Sequence, residues 1–336
     1  MQTITHSSKN IHFIFDEFES VYALTSEKHD KLVTPVFDES FEELFRLFKE
    51  YGNVEYSPSL ANKRFIPLNT GAKTKDTIII CISGGKDSFA TILHYLKQGY
   101  KIYLYHLRGI NFTYKDEYKT VQNLANRLDL PLTIEDIKLT GKQDWVEHPM
   151  KNMIIANMAL QYGIRNNITT NIAFGNFSTS SLNLDPFDVC GGDCKEMWKA
   201  YEHIIQKVLP NFTIYTPLEN FQDTINALLE KPEYLPYVQS CIGPYRYREY
   251  LHNRNEQRYG IQLPDHRCGS CWKCCLEYCV FCDNDIYEYN EAYYKHCLDI
   301  LRRTLYTETG IKYDLQAVWQ HYFFYDKNRS KFLLTY

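Results

Sequence analysis

The chain has 336 residues, of which 44% are hydrophobic and 23% are charged, and its formal net charge is -4. This length suffices for one large α/β domain with additions or for two modest domains. No apolar run reaches the roughly 18 residues of a transmembrane helix, and the charge gives no general attraction to nucleic acid or anionic lipid. The polar start of the chain lacks the apolar core of a signal peptide, so we expect a cytoplasmic protein with no membrane partner.

Residues 1–75 show short strand patterns and one helical pattern. Strands are predicted at His12–Phe15, Val21–Leu24 and Lys31–Val36, and an amphipathic helix at Phe41–Tyr51. We interpret these residues as an N-terminal α+β extension, and the sequence does not indicate its role.

From Asp76 the chain alternates between strand and helix patterns. The predicted strands are Thr77–Ile82, Tyr100–His106, Leu132–Ile137, Ile168–Phe174 and Phe212–Tyr215. The predicted helices are Phe89–Gly99, Tyr118–Leu128, Met150–Tyr162, Cys194–Val208 and Phe221–Leu229. Such alternation predicts an α/β domain over 76–236, in which right-handed crossovers build a parallel sheet covered on both faces. Ligands of such sheets bind beyond the carboxyl ends of the strands.

One of these ends carries a segment suited to phosphate. After the first strand of this domain the chain reads Ser83, Gly84, Gly85, Lys86, Asp87 and Ser88, and a helix pattern follows. Glycines let backbone amides approach an anion, and the helix N-terminus adds free N–H groups and a positive dipole end. The serines and the lysine can bind phosphate, while the aspartate can cap the helix or help to hold Mg²⁺. We call residues 83–88 the phosphate loop; they fit neither the Walker A nor the dinucleotide-binding pattern.

Cysteines dominate the chain after residue 237. Cys268, Cys271 and Cys274 form two overlapping C-x-x-C steps, a spacing typical of a tetrahedral Zn²⁺ site. Cys241 is the candidate for the fourth ligand. The alternatives for that position are Cys275, Cys279, Cys282 and His266. We therefore predict a metal-binding segment at 237–285, holding zinc or an iron–sulfur cluster, followed by a helical segment at 286–336 with its main helix at Asn290–Tyr306.

The phosphate loop resembles the SGGxDS signature of the PP-loop, or N-type, ATP pyrophosphatases. The resemblance implies their Rossmann-like adenine nucleotide α-hydrolase fold, and ATP bound with Mg²⁺ and cleaved between the α- and β-phosphates. It also implies that AMP is transferred to an acceptor oxygen. Nucleotide contacts would come from the six loop residues and Gly175, and catalysis from Lys86, Asp87 and Ser88.

Further matches are similar to one family of this class, the 7-cyano-7-deazaguanine synthases. These matches run in order through Thr77–Glu277. They are Lys151-Asn152, Ala173-Phe174-Gly175, Asp193-Cys194-Lys195, Thr216-Pro217-Leu218 and Cys241 with Cys268–Cys274. The resemblance implies a carbon–nitrogen ligase of queuosine-type 7-deazaguanine biosynthesis. It would use a 7-carboxy-7-deazaguanine-type carboxylate and ammonia and would form a nitrile, releasing AMP and pyrophosphate or ADP-level products, with zinc on the four cysteines. It also implies substrate contacts from Asn152 and Asp193, for which a helix cap is an equal alternative.

The chain departs from that family in three places. A long Arg- and Tyr-rich insertion separates Cys241 from Cys268, and Asp223-Thr224-Ile225 replaces the family's K-A-E. The loop after Gly175, at Asn176–Ser181, lacks the family's usual acidic residue near its start. In the family such positions surround the substrate, so an altered role in nucleic-acid modification or anti-phage defence is one expectation.

Two other functions stay open at the level of sequence. One is a tRNA-modifying thiolase or ligase, in which Cys190 or Cys194 would be catalytic and the arginines of the insertion would bind RNA. For both cysteines a structural role is the favoured alternative, since no histidine-bearing motif marks either as an activated nucleophile. The other is a non-catalytic ATP-binding partner. A nucleic-acid partner is compatible with the sequence but not favoured, as is consistent with the net charge of -4. A homodimer, or a complex with other proteins of the pathway, is also expected.

Overall fold

The structure is a computed structural model. It describes residues 4–6, 11–15, 20–24, 30–34, 43, 46, 56–60, 76–109, 117–139, 151–175, 195–206, 209–218, 221–241, 245–263 and 267–308.

The described elements are short strands in the first 60 residues and alternating strands and helices thereafter. The strands are β1 (Ile4–His6), β2 (Ile11–Phe15), β3 (Ser20–Leu24), β4 (Asp30–Thr34), β5 (Tyr56–Leu60), β6 (Thr77–Cys81), β7 (Lys101–Arg108), β8 (Leu132–Leu139), β9 (Ile172–Phe174) and β10 (Ile214–Tyr215). The helices are α1 (Lys86–Lys97), α2 (Glu117–Leu128), α3 (Lys151–Arg165), α4 (Lys195–Gln206), α5 (Phe221–Glu230), α6 (Tyr245–Tyr259), α7 (Trp272–Asp283) and α8 (Glu291–Glu308). A 3-10 helix spans Pro232–Tyr237.

The main sheet has six parallel strands in the order β1-β8-β7-β6-β9-β10. Strand β6 lies between β7 and β9, and all five of its residues are buried. Its run of Ile78, Ile79 and Ile80 is fully buried because the neighbouring helices cover both faces of a parallel sheet. The expectation of an α/β architecture around a parallel sheet is therefore confirmed.

The first strand of the chain contributes to this sheet. Strand β1 pairs in parallel with β8, and Ile4 lies opposite Ile137. Strands β2 to β5 instead form a separate four-stranded sheet, in which β4 and β5 are parallel and the other pairs are antiparallel. Within the helix expected at Phe41–Tyr51, only Glu43 and Arg46 lie among the described residues; both are helical and they form an exposed ion pair.

The chain changes direction across the sheet between β6 and β9. From β6 it passes through α1 to β7 and through α2 to β8, and then returns through α3 to β9 on the other side of β6. Right-handed crossovers place α1 and α2 on one face of the sheet and α3 on the other. At such a switch point the connections diverge and leave a crevice beyond the carboxyl ends of the two strands. The phosphate loop follows β6, and Gly175 follows β9, so both lie at this crevice.

The cysteine-rich segment contains more helix than the sequence predicted. Helices α6 and α7 lack the clear apolar spacing that marks α1 or α2. Residues 274–282 of α7 are all buried, and α7 packs along α8 in the main hydrophobic core. None of the helices in the described part of the chain has both the length and the apolar character to cross a membrane.

Candidate nucleotide and metal sites

The phosphate loop makes a tight turn that depends on Gly84. The backbone φ of Gly84 is +77°, a left-handed conformation that favours glycine. A Cβ at this position would lie 2.9 Å from Cγ2 of Thr120 on α2. The Gly84 carbonyl accepts a hydrogen bond of 2.8 Å from the backbone N–H of Gln239. The turn is therefore closely packed on two sides.

Gly175 packs directly against the start of α1. A Cβ on Gly175 would lie 2.6 Å from the carbonyl carbon of Asp87 and 2.7 Å from the backbone nitrogen of Ser88. Real Cβ atoms do not approach backbone this closely, so the structure requires glycine here. The structure thus brings Gly175 together with the phosphate loop across the crevice between β6 and β9.

The first turn of α1 is oriented toward this crevice. Its N-cap residue, Gly85, has no side chain that could satisfy the first N–H groups of the helix. Ser83 is exposed, and its hydroxyl oxygen lies 3.3 Å from that of Ser88, which also accepts a hydrogen bond of 3.3 Å from the Ser83 backbone N–H. The loop therefore gathers two hydroxyls and the N-terminus of a 12-residue helix around one point, an arrangement suited to an anion.

Charged groups at the loop are Lys86 and Asp87. The Lys86 ammonium lies 3.1 Å from Oδ2 of Asp87, and the hydroxyl of Thr224 donates to Oδ1 of Asp87 at 2.9 Å. The Asp87 side chain remains 30% exposed, so its carboxylate is accessible from solvent. Thr224 lies on α5, in the segment Asp223-Thr224-Ile225 where the sequence differs from the family that it resembles. Its contact with the loop could not be predicted, because 137 residues separate it from Asp87.

A buried histidine supports the strand that leads into the loop. His106 on β7 is 4% exposed, and its Nδ1–H donates a hydrogen bond of 2.9 Å to the carbonyl of Ile82. Burial lowers the pKa of His106 from its ordinary value of 6.5, and the nearby Arg108 lowers it further, although the hydrogen bond to Ile82 and the charge of Asp136 oppose the shift. The neutral imidazole thereby fixes the chain one residue before Ser83.

Four cysteine thiols form a second site beside the loop. The Sγ atoms of Cys241, Cys268, Cys271 and Cys274 all lie within 4.8 Å of one another. Cys271 and Cys241 are separated by 4.0 Å, as are Cys268 and Cys274. A tetrahedral Zn²⁺ with Zn–S bonds of about 2.3 Å needs sulfurs about 3.8 Å apart. The donor set and its spacing therefore fit zinc, and we call these residues the four-cysteine site.

Backbone amides point at the sulfurs of this site. The N–H groups of Ser270 and Cys271 lie 3.3 and 3.2 Å from Sγ of Cys268. The N–H of Cys268 lies 3.4 Å from Sγ of Cys241. Such N–H···S contacts stabilise negative charge on sulfur, as metal-bound thiolates require.

The proximity of the thiols alters their acidity. Hydrogen bonds from Cys268, Cys271 and Cys274 lower the pKa of Cys241 far below its ordinary value. The pKa values of Cys271 and Cys274 are raised, and the largest cause in both is the hydrogen bond between that thiol and Cys241. One thiolate in the group thus makes the next ionisation harder, and a divalent cation would remove this conflict.

Helices α6 and α8 hold the turn that carries the ligands. Asn255 donates to the carbonyl of Cys268 at 3.0 Å and to the hydroxyl of Ser270 at 2.8 Å. Tyr293 donates to the carbonyl of Gly269 at 2.7 Å. These supporting residues were not identified from the sequence, because isolated Asn and Tyr residues carry no spacing signal.

The competing cysteines lie elsewhere. Cys275, Cys279 and Cys282 lie in the hydrophobic core along α7, and His266 lies outside the described residues. Within the described part of the chain, these four cysteines are the only group of three or more His, Cys, Asp or Glu side chains whose ligand atoms lie close enough to share a metal ion. This supports Cys241 as the fourth ligand.

Arg267, one of the arginines of the insertion, is not part of a basic surface. Its side chain is 4% exposed and forms an ion pair with Glu277 on α7. Its Nη2 also donates a hydrogen bond of 3.0 Å to the carbonyl of Val238. Arg267 therefore ties the cysteine turn to α7 and to the segment that leads to Cys241.

The candidate substrate residues are only partly described. Asn152 is half-buried in the first turn of α3, which follows β8 and so begins at the carboxyl edge of the sheet. Asp193, Cys190 and Cys194 lie outside the described residues.

The two sites meet at residues 239–241. The Ser240 hydroxyl oxygen lies 3.4 Å from the backbone nitrogen of Lys86, and the next residue is the metal-ligand candidate Cys241. The side-chain oxygen of Gln239 accepts a hydrogen bond of 2.8 Å from the Thr120 hydroxyl.

No protein-family profile matches the chain, and no curated protein matches it.

Proposed function

We propose that this chain is an ATP-dependent adenylating enzyme of the PP-loop class. The observation that carries the proposal is the position of the phosphate loop. It lies at a switch point of a parallel sheet, at the N-terminus of α1, where Gly84 and Gly175 occupy places that a larger side chain could not. Open parallel sheets bind their ligands at this place, and helix N-termini bind phosphate.

The loop offers the groups that cleavage between the α- and β-phosphates needs. Backbone amides of the first turn of α1 and the Lys86 ammonium would stabilise the charge that develops on the pyrophosphate leaving group. The hydroxyls of Ser83 and Ser88 would orient the triphosphate. Asp87 would hold Mg²⁺, which usually takes one or two carboxylates and completes its shell with water and phosphate oxygens.

For the acceptor we propose a 7-carboxy-7-deazaguanine-type carboxylate. Its carboxylate oxygen would attack the α-phosphorus, forming an acyl-adenylate and releasing pyrophosphate. Ammonia would then displace AMP to give an amide. A second adenylation, on the amide oxygen, would release another pyrophosphate, and loss of AMP and two protons would leave a nitrile. Support comes from the association of the loop with the four-cysteine site and from the order of matching segments between Thr77 and Glu277.

The four-cysteine site would have a structural role in this enzyme. Zinc sites with four thiolates leave no open position for substrate, and their metal stabilises the fold. Cys241, Cys268, Cys271 and Cys274 would hold the ion and so stabilise residues 267–271, which form neither helix nor strand.

Product analysis tests the proposal. The zinc-loaded protein is incubated with ATP, Mg²⁺, ammonia and 7-carboxy-7-deazaguanine, and both nucleotides and deazaguanines are identified by mass spectrometry. We expect AMP, pyrophosphate and a deazaguanine product in which the carboxylate has been converted to an amide or a nitrile. ADP with phosphate as the products would refute the adenylation chemistry. AMP formation only with a different carboxylate would refute the acceptor and leave the chemistry standing.

A further inference from the structure

The segment Gln239–Cys241 connects the phosphate loop to the four-cysteine site through three consecutive residues. Gln239 contacts the loop with its backbone, since its N–H donates to the Gly84 carbonyl at 2.8 Å. Ser240 reaches the start of α1, and Cys241 lies in the metal site. Adjacent residues are about 3.8 Å apart at Cα, so a displacement of Cys241 is transmitted directly to Ser240.

The Ser240 hydroxyl occupies the place of a helix cap. Its oxygen lies 3.4 Å from the Lys86 backbone nitrogen, where the N-cap residue Gly85 offers no side chain. A Cβ added to Gly85 would lie 3.5 Å from this hydroxyl and 3.6 Å from the Gln239 carbonyl, so both groups border the mouth of the loop. An anion at the start of α1 would meet the same N–H groups and would come within reach of the Ser240 O–H as a donor.

The segment Gln239–Cys241 is held in part by contacts with the four-cysteine site. Cys241 is 5% exposed, and its sulfur is surrounded by the three other thiols and the N–H of Cys268. Val238 is held by Arg267, the residue that precedes Cys268. A cation bound by all four sulfurs would tie Cys241 to the turn Cys268–Cys274, so the position of Cys241 would depend on the bound metal. On the other side, the Thr120 hydroxyl donates a hydrogen bond of 2.8 Å to the side-chain oxygen of Gln239, and the Gln239 N–H donates to the Gly84 carbonyl.

We infer that Gln239 and Ser240 form part of the nucleotide site and couple it to the four-cysteine site, so that metal occupancy raises nucleotide affinity. The inference rests on the proposed function, because it requires that the phosphate loop bind a nucleotide. Coupling is reciprocal, so a bound nucleotide must also slow the loss of the metal. Ser240 is thus a binding residue for the triphosphate and a positioning residue between the two sites.

The experiment compares the wild-type chain with Ser240→Ala, each loaded with zinc. Thr170→Ala is the matched control, because it removes a hydroxyl near the amino end of β9, at the opposite edge of the sheet. Calorimetry measures the affinity for α,β-methylene-ATP, which the proposed reaction cannot cleave. A chromogenic chelator measures the rate of zinc release with and without this nucleotide.

We expect Ser240→Ala to retain one zinc per chain and to bind the nucleotide at least about fivefold more weakly, the lower end of ordinary coupling. In the wild type and in Thr170→Ala the nucleotide should slow zinc release, and in Ser240→Ala this slowing should be largely lost. A role of Ser240 in folding alone would not remove the effect of nucleotide on zinc release.

Two results would overturn the inference. If Ser240→Ala binds nucleotide and protects zinc as the wild type does, residues 239–240 do not couple the sites, although the proposed function stands. If the zinc-loaded wild type binds no α,β-methylene-ATP at all, the proposed function and this inference both fail. Circular dichroism of every variant establishes that the comparison is made between folded proteins.

Discussion

The hydroxyl of Thr224 donates a hydrogen bond of 2.9 Å to Oδ1 of Asp87, joining α5 to the phosphate loop. The other carboxylate oxygen of Asp87 faces the Lys86 ammonium at 3.1 Å. These two contacts orient a carboxylate that is otherwise accessible from solvent. The Asp87 carboxylate is therefore positioned both by its neighbour Lys86 and by a residue outside the loop, Thr224.

Substitution of Asp87 should separate turnover from stability. With Asp87→Ala we expect ATP cleavage to fall by on the order of 100-fold or more, the usual effect of removing one preorganised charged group. The fold should survive the substitution, because it removes one partly buried ion pair with Lys86 and one hydrogen bond from Thr224, together worth about 1–3 kcal/mol. Steady-state pyrophosphate release and thermal unfolding provide the two measurements.

Thr224→Val provides a graded comparison. The substitution keeps the shape of the side chain and removes one hydrogen bond, worth about 1 kcal/mol, so we expect a roughly fivefold loss of turnover.

An Asp87→Ala variant with normal activity would contradict the role given to the Asp87 carboxylate.

Two glycines of the site should respond differently to alanine. Gly175→Ala places a Cβ 2.6 Å from the Asp87 carbonyl carbon, so we expect the free energy of unfolding to fall by about 1–3 kcal/mol. Gly85 has φ of -78° and its nearest new contact would be 3.4 Å, so Gly85→Ala should leave stability within about 0.5 kcal/mol. Because the new methyl group stands at the mouth of the loop, Gly85→Ala should still weaken nucleotide binding.

Denaturant unfolding and calorimetry separate these effects. The expected pattern is a stability defect in Gly175→Ala and a binding defect without one in Gly85→Ala. Equal nucleotide affinity in Gly85→Ala and wild type would argue that the phosphates do not lie against this turn.

The ligand set of the metal site is tested with two cysteine substitutions. Cys271→Ser should lose most of the metal and lower the unfolding midpoint, since loss of an ion present at about 1,000 times its dissociation constant removes about 4 kcal/mol of stabilisation. Cys282→Ser changes a buried cysteine of α7 outside the four-cysteine site and should keep one metal per chain.

Elemental analysis of both variants measures the outcome. We expect zinc without iron or labile sulfide in the wild type. A fully metallated, equally stable Cys271→Ser variant would contradict the ligand assignment, and iron with sulfide would identify a cluster in place of zinc.

The pH dependence of stability should include a contribution from His106. Its folded pKa lies below the unfolded value of 6.5, mainly because of burial, so the unfolded chain binds more protons between these two values. The stabilisation from neutral His106 is complete above about pH 6.5 and is lost as the pH falls through the folded pKa. His94 and His296 are shifted in the same direction, each mainly by burial, and add to this acid sensitivity.

Replacing His106 should reduce this acid sensitivity. In His106→Asn we expect a smaller loss of unfolding free energy between pH 7 and pH 5 than in the wild type, measured by denaturant titration at each pH. His94→Gln is the comparison at a less buried position. An unchanged pH slope in His106→Asn would show that this histidine does not titrate as its burial implies.

Local patterns predicted the strand, turn and helix at the centre of the fold and the cluster of closely spaced cysteines. The apolar run at Thr77–Ile82 and the glycine pair after it identify a strand, a turn and a helix start within a dozen residues. Cys268, Cys271 and Cys274 likewise lie within seven consecutive residues, so the convergence of their thiols could be expected. The structure agrees with these expectations because each depends on residues that are close in sequence.

Contacts between distant residues could not be predicted in this way. Ser240 approaches Lys86 across 154 residues, and the pairing of Ile4 with Ile137 joins the first strand to the main sheet. Helix α6 was not recognised because its Tyr- and Arg-rich sequence has no apolar repeat. Its role is visible only in three dimensions, where Asn255 supports the cysteine turn.

The most direct test of the account is a crystal structure of the zinc-loaded protein with α,β-methylene-ATP and Mg²⁺. We predict a triphosphate within hydrogen-bonding distance of the backbone amides of residues 84–88, between Gly175 and Ser240. A structure in which the loop is empty, or in which the nucleotide is bound at another place, would contradict the account.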